Sequence, residues 1–145
     1  MQGDLSRIGQ CLCGAVTVTT SFENQSLGAC HCAKCRKWSG GAFMELECGS
    51  NVIFEGMENI AVFNSSDWAE RGFCKVCGSH LFMKPKNSNE YGVSVGLFEN
   101  DEDIKFDRQV FYDKKPSYYS FSNETKNISS EYIYEQFPQC RSGDT

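Results

Sequence analysis

Clustered cysteines are the feature that most restricts how this chain can fold. Seven of its nine cysteines lie in three short clusters, which are Cys11-Leu12-Cys13, Cys30-His31-Cys32-Ala33-Lys34-Cys35 and Cys74-Lys75-Val76-Cys77. Thiols this close along a chain are typical of metal sites, whereas a secreted disulfide scaffold usually has an even number of cysteines in a shorter chain. The sequence therefore predicts metal ligands rather than disulfide partners.

Length, charge and hydropathy narrow the class of protein. The 145 residues suit one domain with one hydrophobic core. A net charge of -5 argues against a nucleic-acid binder, which would normally be basic. The longest apolar runs are far short of the roughly 18 residues that a membrane helix needs, and segment 1–10 contains no signal-peptide core. We therefore expect a cytoplasmic protein without nucleic-acid or membrane partners.

Alternating apolar and polar residues predict short β-strands. The alternation is clear along segments 44–48 and 91–97, among others. Period-two patterning of this length is typical of half-buried strands, and clusters of glycine, asparagine and serine between the segments indicate turns. The sequence predicts a mainly β domain of short antiparallel strands over residues 1–138, followed by a loose C-terminal tail at 139–145.

Two short helical turns are expected between the strands. One is predicted at 33–38 and a second near 115–119. Pro116 could open the second turn, because proline is favoured at the first position of a helix. We predict no long helix, since no segment shows a sustained 3.6-residue period.

The first and third clusters each end in Cys-Gly, with glycines at Gly14 and Gly78. A glycine after the second thiol lets the backbone turn tightly, so that amide N–H groups can point at the sulfur. The alternative for the third cluster is a redox CxxC pair, but that motif normally opens a helix and here lies between strand-like segments. We therefore predict one closed tetrahedral structural zinc site, formed by Cys11, Cys13, Cys74 and Cys77.

The middle cluster supplies three thiolates, from Cys30, Cys32 and Cys35, and its fourth ligand is open. Three protein ligands and one open position are typical of catalytic zinc, whereas four protein ligands close a site. Cys48 could be the fourth ligand, but it lies on the alternating apolar face of its segment, which favours a buried core thiol.

Two histidines and the last cysteine have less specific predictions. His31 lies between two thiols of the middle cluster, so in an extended segment its side chain points away from theirs. We expect His31 and His80 to be packing residues or to support ligands indirectly. Cys140 falls in the predicted tail and is expected to be exposed and unliganded.

The ordered motifs resemble those of a known family. They are Cys11-Leu12-Cys13-Gly14, Cys30-His31-Cys32-Ala33-Lys34-Cys35-Arg36 and Phe73-Cys74-Lys75-Val76-Cys77-Gly78. In this combination the chain resembles the glutathione-dependent formaldehyde-activating enzyme / centromere protein V family over about residues 9–137. The resemblance implies a β-tent fold with a structural zinc and a catalytic zinc. The residues matching the structural site are Cys11, Cys13, Cys74 and Cys77, and those matching the catalytic site are Cys30, Cys32 and Cys35.

The family name implies that glutathione and formaldehyde combine to S-(hydroxymethyl)glutathione, formally as a carbon–sulfur lyase. Three thiolates make zinc electron-rich and therefore a weak activator of water, so the ligand set suits a substrate thiol held as its thiolate. Arg36 and Lys37 could attract a substrate carboxylate, or could be solvated surface cations. The segment after them, which begins at Trp38, could approach a ligand or simply form a turn.

Two other functions remain open from the sequence. A non-catalytic zinc module for protein contact would need the middle site closed, by Cys48 or His31. A methionine sulfoxide reductase-like oxidoreductase would need a reactive thiol outside the metal sites, where only Cys48 and Cys140 remain. We expect a zinc-dependent lyase that acts on a small thiol such as glutathione or on a thiol adduct.

Overall fold

The computed structural model describes residues 6–21 and 25–141, and short strands dominate these ranges. The strands are β1 (Ser6–Gln10), β2 (Thr17–Ser21), β3 (Gln25–Cys30), β4 (Phe43–Gly49), β5 (Val52–Glu55), β6 (Ile60–Asn64), β7 (Ala69–Cys74), β8 (His80–Pro85), β9 (Tyr91–Ser94), β10 (Ile104–Val110) and β11 (Lys126–Ile128). The α-helices are α1 (Ala33–Ser39) and α2 (Ser130–Gln136). Short 3₁₀ turns lie at Met57–Asn59, Val95–Leu97, Tyr112–Lys114 and Pro138–Cys140. The mainly β prediction is confirmed.

The described strands form two sheets. One has the order β1-β2-β5, and the other has the order β11-β10-β3-β4-β9-β8-β7-β6. Most neighbours are antiparallel, as predicted, but β10 pairs in parallel with both β3 and β11. The parallel pairs were not predicted, because parallel neighbours need a long crossover that a local pattern does not reveal. They place β3, which ends at Cys30, in the interior of the larger sheet.

Alternation along β4 builds one part of the core. Leu46 and Cys48 point inward and pack with Leu27, Val93 and Phe98, all of them buried. The thiol of Cys48 is thereby enclosed by apolar side chains, as its periodicity predicts. The prediction that Cys48 is a core thiol is confirmed.

One predicted helical turn is confirmed and the other is wrong. Helix α1 occupies the expected place, whereas segment 115–119 is not helical. Lys115 is extended, with φ of -64° and ψ of 132°, because the ring of Pro116 disfavours a helical conformation in the residue before it. Helix α2 was not predicted; it begins after Ser129, whose hydroxyl accepts a hydrogen bond from the backbone N–H of Tyr132.

The end of the described chain folds back on α2. The prediction that Cys140 is exposed is wrong, since its side chain is only 5% exposed. The guanidinium of Arg141 lies 4.8 Å from the ring centre of Tyr134, which helps to hold this segment against the helix. The predicted tail beyond residue 141 lies outside the described residues. In the described ranges, neither helix has the length or apolarity needed to cross a membrane.

Candidate metal centres

Four sulfurs meet where the loop between β1 and β2 approaches the turn between β7 and β8. The sulfurs of this four-cysteine cluster all lie within 4.8 Å of one another, and they belong to Cys11, Cys13, Cys74 and Cys77. The Sγ of Cys13 is 3.7 Å from that of Cys11 and 3.8 Å from that of Cys74. A tetrahedron with zinc–sulfur bonds of about 2.3 Å has edges of about 3.8 Å, so this donor set fits such a metal.

The backbone around the four-cysteine cluster turns as the Cys-Gly motifs predict. Gly14 and Gly78 have φ values of 84° and 81°, a left-handed conformation that favours glycine. The backbone N–H groups that donate to sulfur come from neighbouring residues: Val16 donates to Cys11 at 3.4 Å, and Val76 donates to Cys74 at 3.3 Å. Such donors stabilise thiolate over thiol.

Ser79 links the two halves of the four-cysteine cluster. Its hydroxyl lies 3.2 Å from the sulfur of Cys77 and accepts a hydrogen bond from the backbone N–H of Leu12 at 3.0 Å. Hydrogen bonds from the Ser79 side chain and backbone lower the pKa of Cys77 from 9.0 to about 5. This ligand is therefore largely a thiolate near neutral pH, the form that binds metal.

Three further sulfurs meet where β3 ends and α1 begins. Cys30, Cys32 and Cys35 form this three-cysteine cluster; all three are buried and their sulfurs lie within 4.8 Å of one another. Cys32 is the N-cap of α1, and its sulfur accepts a hydrogen bond from the backbone N–H of Cys35 at 3.4 Å. The start of the helix therefore aligns the second and third sulfurs of the cluster.

The buried thiols of the three-cysteine cluster affect one another's ionisation. Hydrogen bonds from Cys30 and Cys35 strongly lower the pKa of Cys32, while the bonds with Cys32 and Cys35, together with burial, raise the pKa of Cys30. One thiolate forms readily, but further ionisation is opposed unless a cation enters. A divalent metal supplies that charge, so this cluster also fits a metal ion.

Neither candidate for a fourth ligand reaches the three-cysteine cluster. His31 is fully buried, and its Nδ1 lies 3.1 Å from the hydroxyl of Tyr119 while its Nε2 lies 2.9 Å from Oε1 of Gln109. Cys48 lies at the opposite end of β4 and accepts a hydrogen bond from Gln25 at 3.8 Å. In the described ranges, no fourth ligand atom from Cys, His, Asp or Glu lies within 4.8 Å of all three sulfurs.

Arg71 is a residue of the site that the sequence reasoning missed. It is 5% exposed on β7, and its Nη1 donates a hydrogen bond to the Sγ of Cys35 at 3.6 Å. Its guanidinium lies 5.0 Å from the ring centre of Trp38, which stacks on the ring of His80 at 4.1 Å. The signal in the sequence that could have revealed Arg71 was a cation on the face of a strand segment that its alternation predicts to point inward. Trp38 is thus a packing partner of Arg71, and His80 packs on the ring of Trp38.

The two basic residues proposed from the sequence lie elsewhere. Arg36 donates from Nε to the backbone carbonyl of His31 at 2.9 Å, and Lys37 is exposed on α1. Gly40 ends α1 with φ of 81°, so the segment after Trp38 forms a helix C-cap. Arg71 instead donates a hydrogen bond to a sulfur of the three-cysteine cluster.

Two cavities adjoin the three-cysteine cluster. The smaller has a volume of about 40 Å³, and its wall includes Cys30, Cys32, Cys35, Trp68, Arg71 and Met83. The larger has a volume of about 390 Å³ and shares Cys30, Trp68 and Met83 with it. Cavities of several hundred cubic ångströms are typical of small-molecule sites. The three sulfurs therefore have free space on one side.

Glu45 brings a carboxyl group to the wall of the larger cavity. Burial raises its pKa from 4.5 to about 7, although the nearby Arg108 acts in the opposite direction. The carboxylate packs on Gly92 of β9, where an added Cβ would lie only 2.4 Å from Oε2. The cavity thus contains an acid that changes charge near neutral pH.

The fold and the two clusters define a mainly β protein with two sets of thiols, each able to hold a metal ion. The model of the family described as glutathione-dependent formaldehyde-activating enzyme matches residues 6–114. The chain belongs to this family, and the resemblance seen in the motifs is confirmed.

Two other proteins are similar to this chain. The chain is 40% identical over 126 residues to an uncharacterized lyase of Schizosaccharomyces pombe, a match that covers 86% of this chain and 92% of the relative. It is also similar to the crystal structure of a Rhodobacter sphaeroides protein, with 26% identity and a TM-score of 0.50, covering 64% of this chain and 88% of the other.

Proposed function

We propose that this protein is a zinc-dependent carbon–sulfur lyase acting on a small thiol or its aldehyde adduct, with S-(hydroxymethyl)glutathione as the first candidate substrate. The family description and the lyase name of the Schizosaccharomyces pombe relative support this reaction class. In this proposal the four-cysteine cluster holds a structural zinc and the three-cysteine cluster holds a catalytic zinc. Because both need reduced thiols, a reducing compartment such as the cytoplasm is part of the proposal.

The observation that carries the proposal is the free space beside three buried sulfurs. A structural zinc site is closed by four protein ligands, whereas a catalytic site leaves one position for water or substrate. The small cavity adjoins all three sulfurs, and the larger cavity adjoins Cys30. The larger cavity therefore offers a substrate thiol a place beside Cys30, and the smaller cavity leaves space next to all three sulfurs.

Zinc held by three thiolates would supply a binding position that keeps a substrate sulfur as thiolate, a good nucleophile and a good leaving group. The chain itself supplies the surroundings. Arg71 offsets negative charge at Cys35, the apolar walls at Met83 and Phe111 exclude water, and the larger cavity leaves room for the rest of the thiol.

Each of the two alternative functions requires a residue arrangement that differs from the one seen among the described residues. A closed, non-catalytic centre would need His31 or Cys48 at the three-cysteine cluster, but both have other partners. A methionine sulfoxide reductase-like reaction would need a reactive thiol outside the clusters. Burial raises the pKa of Cys48, which disfavours the nucleophilic thiolate, and Cys140 is buried as well.

The experiment that tests the proposal is a measurement of exchange between free formaldehyde and its glutathione adduct. We expect the zinc-loaded protein to accelerate the exchange seen by NMR, and Cys32→Ser to lose both the acceleration and one zinc equivalent. Cys48→Ala is the matched control, because it removes a buried cysteine outside both clusters and should keep full activity. An exchange rate unchanged by wild-type protein with any of a panel of small thiols would refute the lyase proposal.

A further inference from the structure

Two hydrogen-bond donors without acceptors lie in the wall of the small cavity. In the described ranges, the buried side-chain nitrogen and oxygen atoms that lack a hydrogen-bond partner are Nε1 of Trp68 and Nε of Arg71. Both residues line the cavity of about 40 Å³ that adjoins the three-cysteine cluster. Buried donors almost always have partners in folded proteins, because an unpaired one is costly. Two such donors beside one cavity therefore indicate that a ligand atom completes them.

The surrounding structure holds both donors in place. The other side of the Arg71 guanidinium is occupied, since Nη1 donates to Cys35 and the plane lies against Trp38. Trp68 precedes β7, where the hydroxyl of Ser66 accepts a hydrogen bond from its backbone N–H at 3.3 Å. The Trp68 carbonyl also accepts from the backbone N–H of Lys86 at 2.8 Å. These contacts hold the guanidinium of Arg71 and the backbone of Trp68 before any ligand arrives.

The chemistry of the donors defines the ligand atom. Both groups only donate, and one belongs to a cation, so their natural partner is an oxygen with partial or full negative charge. A volume of about 40 Å³ exceeds what one water molecule needs but is too small for a peptide thiol. The cavity therefore suits a one-carbon group and its oxygen.

We propose that the N–H groups of Trp68 and Arg71 bind the oxygen of the one-carbon unit while its carbon–sulfur bond forms or breaks. The inference rests on the lyase function proposed above and adds a role for two residues, which would bind the oxygen of the substrate's one-carbon unit. The larger cavity accommodates the thiol, and the small cavity accommodates the aldehyde fragment.

The reaction places negative charge at the proposed position. In cleavage, the hydroxymethyl group loses its hydroxyl proton to water, an oxygen lone pair forms the carbon–oxygen double bond, and the carbon–sulfur electron pair leaves with sulfur as thiolate. The products are the thiolate, formaldehyde and one proton. In the reverse direction the thiolate adds to the carbonyl carbon, and the oxygen carries the charge until it is protonated. Donors fixed around that oxygen stabilise the charged state in both directions.

The test compares wild-type holoenzyme with Trp68→Phe, which keeps an aromatic ring but removes one donor. We expect kcat for glutathione–formaldehyde exchange to fall about 100-fold or more, because loss of one oxyanion donor typically lowers kcat by about 100- to 1000-fold. Zinc content should remain two equivalents, and KM for glutathione should change much less than kcat, since the phenylalanine ring still fills the part of the larger cavity's wall that Trp68 forms. A role in packing alone would instead alter zinc content or thermal stability.

Arg71→Lys is the second variant; it keeps a positive charge but removes both the Nε–H donor and the Nη1 hydrogen bond to Cys35, so zinc content is measured beside kcat to separate the two effects. We expect a similar loss in kcat while glutathione still perturbs the absorption spectrum of the cobalt-substituted variant. If Trp68→Phe loses zinc or does not fold, Arg71→Lys decides the question by the same measurements. An active wild type with kcat unchanged in either folded, metal-loaded variant would overturn this inference and leave the lyase function intact. A wild type without exchange activity would overturn both.

Discussion

The Nη1 atom of Arg71 lies 3.6 Å from the Sγ of Cys35, so strand β7 and helix α1 meet at a charged hydrogen bond. The contact places a buried cation beside the three-cysteine cluster. It also connects the two clusters through the chain, because β7 continues from Arg71 to Cys74 of the four-cysteine cluster. A shift of β7 at one cluster would therefore be felt at the other.

Cys77→Ala should remove one metal equivalent and sharply destabilise the protein. The four-cysteine cluster joins two segments far apart in sequence, and metal binding to such a site is coupled to folding. We expect the midpoint of thermal unfolding to fall sharply, because the folding free energy that metal binding supplies is lost. Elemental analysis and thermal melting measure the two effects, and a variant that retains both zinc equivalents and the wild-type melting curve would contradict the assignment.

Ser79→Ala should weaken metal binding without removing a ligand. The serine lowers the pKa of Cys77 to about 5, so without it protons compete better for that sulfur and the deficit should grow as the pH falls. Loss of a residue that supports a ligand typically costs about 10- to 100-fold in affinity. Competition with a chelator at about pH 6 and about pH 8 measures this. Equal affinity of variant and wild type at both pH values would show that the hydroxyl is unimportant.

Cys48→Ala should leave both metal equivalents in place and cost about 1–2 kcal/mol of stability. The thiol packs among apolar side chains and accepts a hydrogen bond from Gln25 at 3.8 Å. Zinc analysis and chemical denaturation provide the measurement. Loss of a zinc equivalent in this variant would mean that Cys48 joins the three-cysteine cluster in solution, and the lyase proposal would lose its open position.

Substrate thiols should bind directly to the metal of the three-cysteine cluster and release a proton. Binding of the thiolate rather than the thiol requires that release. Replacing zinc by cobalt makes the step visible, because sulfur-to-cobalt charge transfer intensifies when a fourth sulfur joins. Titration with glutathione and other small thiols should rank substrates. The expected change should be absent in Cys32→Ser, and a wild-type spectrum unaffected by every thiol would exclude direct binding.

Glu45→Gln should change how stability depends on pH. Burial raises the pKa of Glu45 from 4.5 to about 7, so between these values the folded protein binds more protons than the unfolded chain and wild-type stability falls as the pH rises. The glutamine side chain does not ionise, so the variant is not destabilised in this way as the pH rises. Its free energy of unfolding relative to wild type should therefore increase from about pH 5 to about pH 8. Denaturation at several pH values measures the difference.

Glu47→Gln is the matched control for that measurement, because Glu47 lies on the same strand but is exposed and pairs with Arg108 at 3.0 Å. We expect no comparable pH-dependent gain in the control. The comparison between variants is necessary because burial lowers the pKa of His31, which acts on stability in the opposite direction. A Glu45→Gln profile parallel to that of wild type would show that the carboxyl is solvated.

The parts of this structure that were predictable are those set by local sequence. The cysteines of each motif are close along the chain, so their meeting depends on little else, and the alternation along β4 fixes the inward direction of Cys48. Strand β3 shows the limit. Most of its residues are buried on both faces, which removes the alternation, and its parallel neighbour β10 is distant in sequence.

The residues around the three-cysteine cluster could not be predicted from the sequence, because their positions depend on tertiary structure. The position of Arg71 follows from the register of β7 in its sheet, and a one-residue slip would turn its side chain to the other face. The burial of Cys140 depends on α2, a helix of seven residues that was too short to give a periodic signal.

The two clusters differ in how much chain they span, and this sets an order for metal loading during synthesis. Cys30, Cys32 and Cys35 lie within one short segment, so a nascent chain contains all thiols of the three-cysteine cluster early. The other set waits until Cys77 has emerged and must then close a long loop back to Cys11, at an entropic cost that only the finished sheets offset. Under the proposed metal assignment, a shortage of zinc during translation would delay the structural zinc of the four-cysteine cluster more than the catalytic zinc of the three-cysteine cluster.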